Sequence, residues 1–156
     1  MAFKSTKGRT AEDMEQLIQA VGGNVMCSSS RETIMYQSSV FNQDIRTVLD
    51  VFADTIQNPV MDANELGVQR EATAWEVSEI WSKPEMILPE IVHAVAYQNN
   101  TLGHPLLCPM ENLDIVTTDN LRDFMRAWYR PERLVVAGVG TVSYTHLRAH
   151  ETKANL

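Results

Sequence analysis

The feature that most constrains this chain is a change of hydrophobic period between residues 11 and 58. Residues 11 to 21 carry Met14, Leu17, Ile18 and Val21 at i, i+3, i+4 and i+7, the stripe of an amphipathic helix. Residues 24 to 40, NVMCSSSRETIMYQSSV, switch to a period of two, with Val25 and Cys27 on one face, then Ile34, Tyr36, Ser38 and Val40. The polar break at 29 to 32 makes this a β-hairpin or two adjacent strands. From residue 42 the helical period returns through Ile45, Val48, Leu49, Phe52 and Ile56. A hairpin set between helices, with further helices behind it, excludes a regular βαβ alternation. It predicts an α+β layered fold, a mostly antiparallel sheet covered by helices.

Local signals set the expected boundaries. Thr10 caps the first helix, Glu12 and Asp13 favour its first turn, and Gly22-Gly23 end it. Asn58-Pro59 closes the second. A third runs from about Asp62 to Trp81, with Leu66, Val77 and Ile80 on one face and Trp75 and Trp81 off it, a pattern expected of a helix sandwiched between neighbours. A shorter helix begins around Pro89, which fits a first turn. The stretch NTLGHPLLCP is a loop, and Thr118 caps a last helix with the stripe Leu121, Phe124, Met125, Trp128 and Tyr129. The uncharged run from Leu134 to Gly140 reads as a buried strand. The expected core includes Leu17, Ile18, Val48, Leu49, Phe52, Leu121, Phe124, Met125 and Val136.

Bulk properties remove several function classes. With 156 residues the chain suits one domain, and 44% hydrophobic against 21% charged residues is a globular balance. A net charge of −7 argues against nucleic acid and suits a basic ligand. No apolar run has the length of a transmembrane segment, and MAFKSTKGRT has no targeting character. Cys27 and Cys108 match no metal spacing and read as small buried side chains in a reducing compartment rather than a disulfide.

Residues 145 to 151, THLRAHE, set His146 and His150 four apart, one face of a helix and a spacing that can grip one metal ion. The helical zinc motif places its glutamate between the histidines. Here Leu147, Arg148 and Ala149 intervene, and Arg148 would bring a cation to the metal position. The favoured reading is a solvated tail, so no metal ligand is assigned. His93 on an apolar helix is expected to be a packed core histidine, and His104, between Gly103 and Pro105, a solvent-facing loop residue.

The segments GGNVMCSSSRETIMYQSSVFNQD, KPEMILPEIVHAVAYQNNTLGHPLLCP and YRPERLVVAGVG resemble the mitochondrial processing peptidases, above all their fungal α subunits, within the pitrilysin-type zinc peptidases that use an inverted H-x-x-E-H motif. The likeness runs from Ala2 to about Gly140. It implies that residues 1–140 form part of a pitrilysin-like N-terminal domain, truncated. Residues 141–156 are expected to be a non-family tail, disordered or artefactual, resembling translated adaptor sequence. In the family the H-x-x-E-H region lies just before the segment matching Ala2-Phe3-Lys4, so it is expected to be absent here. Aligned on HAVAY, Glu76 matches the family's downstream zinc-ligand glutamate. One carboxylate does not hold zinc, which needs three protein ligands and a water. Glu76 is therefore expected not to bind metal, and no catalytic residue is assigned.

The resemblance implies a fragment of the non-catalytic α subunit, working in the mitochondrial matrix with a zinc-containing β subunit that removes targeting presequences. Presequences are basic and amphipathic, and Asp62, Glu65, Glu71, Glu76 and Glu79 on one helix are electrostatically suited to them; the plain alternative is an ordinary solvated face. The residues contacting presequence are not assigned. Two other readings stay open: a non-proteolytic core subunit of the cytochrome bc1 complex at the inner membrane, or a truncated active zinc metallopeptidase.

Overall fold

A computed structural model of the chain describes residues 1–140; the THLRAHE pair lies outside them. The elements in order are α1 (Ala11–Val21), β1 (Asn24–Ser29), β2 (Ile34–Ser39), α2 (Ile45–Gln57), α3 (Ala63–Trp81), α4 (Pro84–Ala96), α5 (Met110–Leu113) and α6 (Thr118–Trp128), with single 3-10 turns at 42–44, 101–103 and 131–133. The described residues thus form an α+β fold with six α-helices and one two-stranded antiparallel sheet. None of these helices is long and apolar enough to cross a membrane.

The hairpin forms where the period of two predicted it. The Ser30 N–H donates to the Thr33 carbonyl at 2.8 Å, and the Ser30 and Thr33 hydroxyls lie 3.0 Å apart, closing its turn. At its base a Cβ on Gly23 would stand 2.3 Å from Cγ1 of Val40, so only glycine lets the chain pass there. Alternation puts Val25 and Cys27 on one face; Val25 is half-buried but Cys27 is exposed and in no disulfide, unlike the buried thiol expected.

The chain divides into two compact units. One contains residues 62–118 with the hairpin tip, Cys27–Met35, and Met1. Its buried apolar residues are Leu66 and Val77 of α3, Ile87 of α4 and Leu113 of α5. α4 starts at Pro84, not at Pro89: Pro84 takes the first helical position, and Pro89 sits inside, where its ring leaves one carbonyl without its usual N–H donor. The hairpin tip is fastened to α4 by charge. The Arg31 guanidinium donates to Glu90 Oε2 at 2.9 Å and to the Leu102 carbonyl at 3.2 Å, and the Leu106 N–H donates to the same Glu90 oxygen at 3.0 Å. Nearby, a Cβ on Gly103 would meet the Tyr97 carbonyl oxygen at 2.4 Å.

The other unit comprises residues 2–26, 36–61 and 119 onward. Thr10 and Asp13 form a reciprocal capping box on α1, and Gly22 ends the helix in the left-handed conformation at φ 65°. Met14 and Val21 of α1 are buried with Val48, Val51 and Thr55 of α2. The buried side of α2 is therefore turned from the expected stripe, and Leu49, Phe52 and Ile56 are half-buried. Phe52 instead joins a ring cluster with Phe3 and Tyr36, centroids 5.8 to 6.1 Å apart, while the Tyr36 and Tyr129 hydroxyls lie 3.1 Å apart. Residues 5–7 run antiparallel to 58–60 through a bridge between Thr6 and Pro59, so Thr6 becomes buried.

Leu17, Ile18, Leu121 and Met125 are mostly covered, as expected, but two other core expectations need correction. Phe124 is 47% exposed. Residues 134–139 form no strand, and Val135 and Val139 are almost wholly exposed, with Val136 at 56%. An apolar run becomes a buried strand only beside a partner strand, and among the described residues the sheet has only β1 and β2.

Candidate functional site

The acidic helix α3 is the element to which the sequence attaches function, and its faces divide sharply. Asp62 precedes it and accepts hydrogen bonds from the Asn64 and Glu65 N–H groups at 2.8 and 3.2 Å, spending its carboxylate as an N-cap. Leu66 and Val77, eleven residues apart, face inward, and Arg70 on the same side donates to the Val116 carbonyl. Thr73 returns its hydroxyl to the Gln69 carbonyl at 2.8 Å.

The opposite side is open. Val68, Glu71, Trp75 and Glu79 succeed one another at spacings of three, four and four, which place them on one stripe. Val68 is 64% exposed and Trp75 79% exposed. Glu71 and Glu79 are exposed at either end of the indole, and Glu79 pairs with the Lys83 ammonium at 2.5 Å. The hydrogen bond from Lys83, and then its charge, hold the Glu79 carboxyl below its usual range. The expected sandwich for α3 is thus corrected: α4 and α5 pack with α3, but Trp75 and Trp81 are left 79% and 62% exposed. Trp75 was visible in the sequence as an indole off the apolar face, but only burial shows that it stands free.

Of the five acidic residues, Glu71 and Glu79 share the open stripe, Asp62 is consumed in capping, and Glu65 lies half-buried in the first turn. Glu76, one residue beyond Trp75 and so about 100° round the helix, is exposed. Among the described residues no three of His, Cys, Asp and Glu converge on one point. The donors around Glu76 therefore do not fit a zinc ion, which requires three protein ligands. His93 is not packed in a core: its Nδ1–H donates to the Pro89 carbonyl at 2.8 Å and its ring lies 5.7 Å from that of Tyr97, half in solvent. His104 is exposed on its loop, and Cys108 is free and half-buried.

The sequence model of the insulinase family, peptidase family M16, matches residues 1–110. The chain is 50% identical over 140 residues to the α subunit of the mitochondrial-processing peptidase of Neurospora crassa, covering 90% of this chain and 24% of that protein. It is 33% identical over 147 residues to the β subunit from Homo sapiens, covering 94% of this chain and 30% of that protein. The crystal structure of a protease from Helicobacter pylori superposes with a TM-score of 0.82, over 97% of this chain and 37% of that one. At 20% identity this last likeness concerns the fold alone. The chain spans about a quarter of the length of the curated relatives it matches.

Proposed function

This chain belongs to the insulinase family of peptidases, family M16, and within that family we propose that it is an α-type, non-catalytic portion of a mitochondrial processing peptidase, one that helps recognise presequences for cleavage by a β subunit. The observation that carries this reading is the 50% identity to a fungal α subunit, well above the 33% to a β subunit over nearly the same residues. The zinc would belong to the β partner, since the donors of residues 1–140 do not fit the ion. The matrix of the mitochondrion is the compartment that goes with this role. Residues 1–140 would form the family-like part and 141–156 lie outside that role.

Chemically, the chain's contribution is binding and orientation. A net charge of −7 raises the local concentration of cationic peptides, and Glu71, Glu76 and Glu79 of α3 are exposed to solvent, Glu79 beside Lys83. The test is to titrate a fluorescently labelled mitochondrial presequence peptide with the full chain, with and without zinc, following anisotropy and peptide cleavage. Binding without cleavage is expected under both conditions. Zinc-dependent cleavage by the chain alone would overturn the non-catalytic assignment, and no binding at all would overturn the recognition role.

A further inference from the structure

We propose that the surface running from Phe124 and Trp128 of α6 through Arg130 and Arg133 to the apolar run 134–139 docks on an anionic lipid surface. The inference goes beyond the presequence reading and does not depend on it.

Val139 and Val135 are the two most exposed large apolar side chains among the described residues, at 105% and 91%. Their segment leaves the 3-10 turn at 131–133 in extended conformation, with Leu134 at φ −88° and ψ 131°. From Leu134 to Gly140 it carries no charged residue. Two turn hydrogen bonds, from the Arg133 N–H to the Arg130 carbonyl at 2.9 Å and from the Leu134 N–H to the Pro131 carbonyl at 3.1 Å, hold both arginines beside the start of the run. The Arg133 guanidinium lies 4.7 Å from the centre of the Trp128 ring, and the Trp128 and Phe124 rings are 6.3 Å apart, each about half exposed. Two rings, two cations and the apolar run therefore form one patch, and all of it lies within one compact unit.

Charge decides what covers such a patch. Arg126 is paired with Asp123, but Arg130 and Arg133 have no carboxylate partner among the described residues. Arg130 gives its Nε–H to the Arg126 carbonyl at 3.4 Å, and Arg133 turns to the indole. Against these arginines, residues 124 to 140 contain a single carboxylate, Glu132. Aliphatic side chains bordered by an indole and guanidinium groups suit the boundary between lipid headgroups and acyl chains, where arginines meet phosphates. The backbone of 135–139 makes no hydrogen bond to another described residue. At headgroup depth, water and phosphate oxygens can serve those groups, as hydrocarbon cannot.

Other exposed apolar surfaces lack this border. Trp75 stands among Glu71, Glu76 and Glu79 of α3, and Leu88, Val92 and Val95 share α4 with Glu85 and Glu90, so an anionic surface would be repelled from both. A second copy could pair with the run as a strand, but a two-stranded ribbon is marginal by itself and gives Trp128 and the arginines no role.

The full chain is sedimented with vesicles of phosphatidylcholine alone and of phosphatidylcholine mixed with phosphatidylglycerol. It is compared with Val135→Asp/Val139→Asp, Arg130→Gln/Arg133→Gln and Arg46→Gln, an exposed arginine of α2 in the same unit. All these side chains are exposed, so circular dichroism should be unchanged. We expect binding to the mixed vesicles alone, weakened about tenfold or more by either double variant and by added salt, and unaffected by Arg46→Gln. In a Trp75→Phe/Trp81→Phe background, Trp128 emission should move to the blue on adding the mixed vesicles. Equal binding to both vesicle types, absence of binding, or binding that both double variants retain would overturn the proposal. Self-association without vesicle binding, abolished by Val135→Asp/Val139→Asp, would assign the run to a second copy and overturn it as well.

Discussion

The Arg9 guanidinium lies 2.6 Å from Oδ2 of Asp54, and the Thr6 hydroxyl donates to the same oxygen at the same distance. With Asn58 donating to the other oxygen at 3.1 Å, three side chains hold one carboxylate on α2 and tie the irregular chain start to it. Burial disfavours the Asp54 anion, but the hydrogen bonds from Thr6, Asn58 and Arg9, with the charge of Arg9, outweigh it and lower the pKa from the ordinary 3.8. A carboxyl whose pKa is depressed on folding adds stability that is complete above the unfolded value and is lost as pH falls through the folded one. Asp54→Asn should therefore cost roughly 1–3 kcal/mol near neutral pH, and the gap to the unsubstituted chain should shrink as pH drops below 3.8. Urea unfolding across that range checks this; a gap independent of pH would remove the ionic account.

Arg31 and Glu90 are the second ionic contact, with side chains 16% and 14% exposed. Because Glu90 also accepts the Leu106 N–H, Glu90→Ala should strip a hydrogen bond from the loop as well as from the hairpin tip. The expected cost is about 2 kcal/mol, with faster hydrogen exchange at the Leu106 amide. A double-mutant cycle with Arg31→Ala should show coupling between the two residues. Strict additivity would mean that the contact is not formed in solution.

Core and stripe residues should separate in cost. Met14 is fully buried, so Met14→Ala should destabilise by roughly 2–5 kcal/mol. Phe124 is half-exposed, and Phe124→Ala should cost about 1 kcal/mol or less. Equal costs measured by thermal or chemical unfolding would contradict the burial of α1 and the openness of α6.

Zinc titration probes the carboxylate aligned with the family ligand. The full chain should take up zinc no more tightly than the micromolar range, since a lone carboxylate at Glu76 supplies too few ligands. Glu76→Gln should leave that uptake unchanged. Stoichiometric tight binding lost in Glu76→Gln would restore a metal site to α3. Tight binding lost instead in His146→Ala/His150→Ala would make THLRAHE a genuine site.

What the sequence determined by itself is what neighbours along the chain control. The capping of α1 by Thr10 and Asp13, its stop at Gly22 and the hairpin over 24–39 all follow from hydrogen bonds and periods a few residues long. The same reach explains the family motif reading, since it rests on contiguous stretches. Tertiary structure alone decided which side of each helix is covered. The burial of α2 turned toward Val51 and Thr55, the solvent exposure of Trp75 and Phe124, and the half-open His93 depend on which elements meet, and no local period encodes that. It also decided that Leu134 to Val139, apolar enough for a strand, join no sheet among the described residues. A strand is made by its partner's hydrogen bonds, whereas a helix supplies its own.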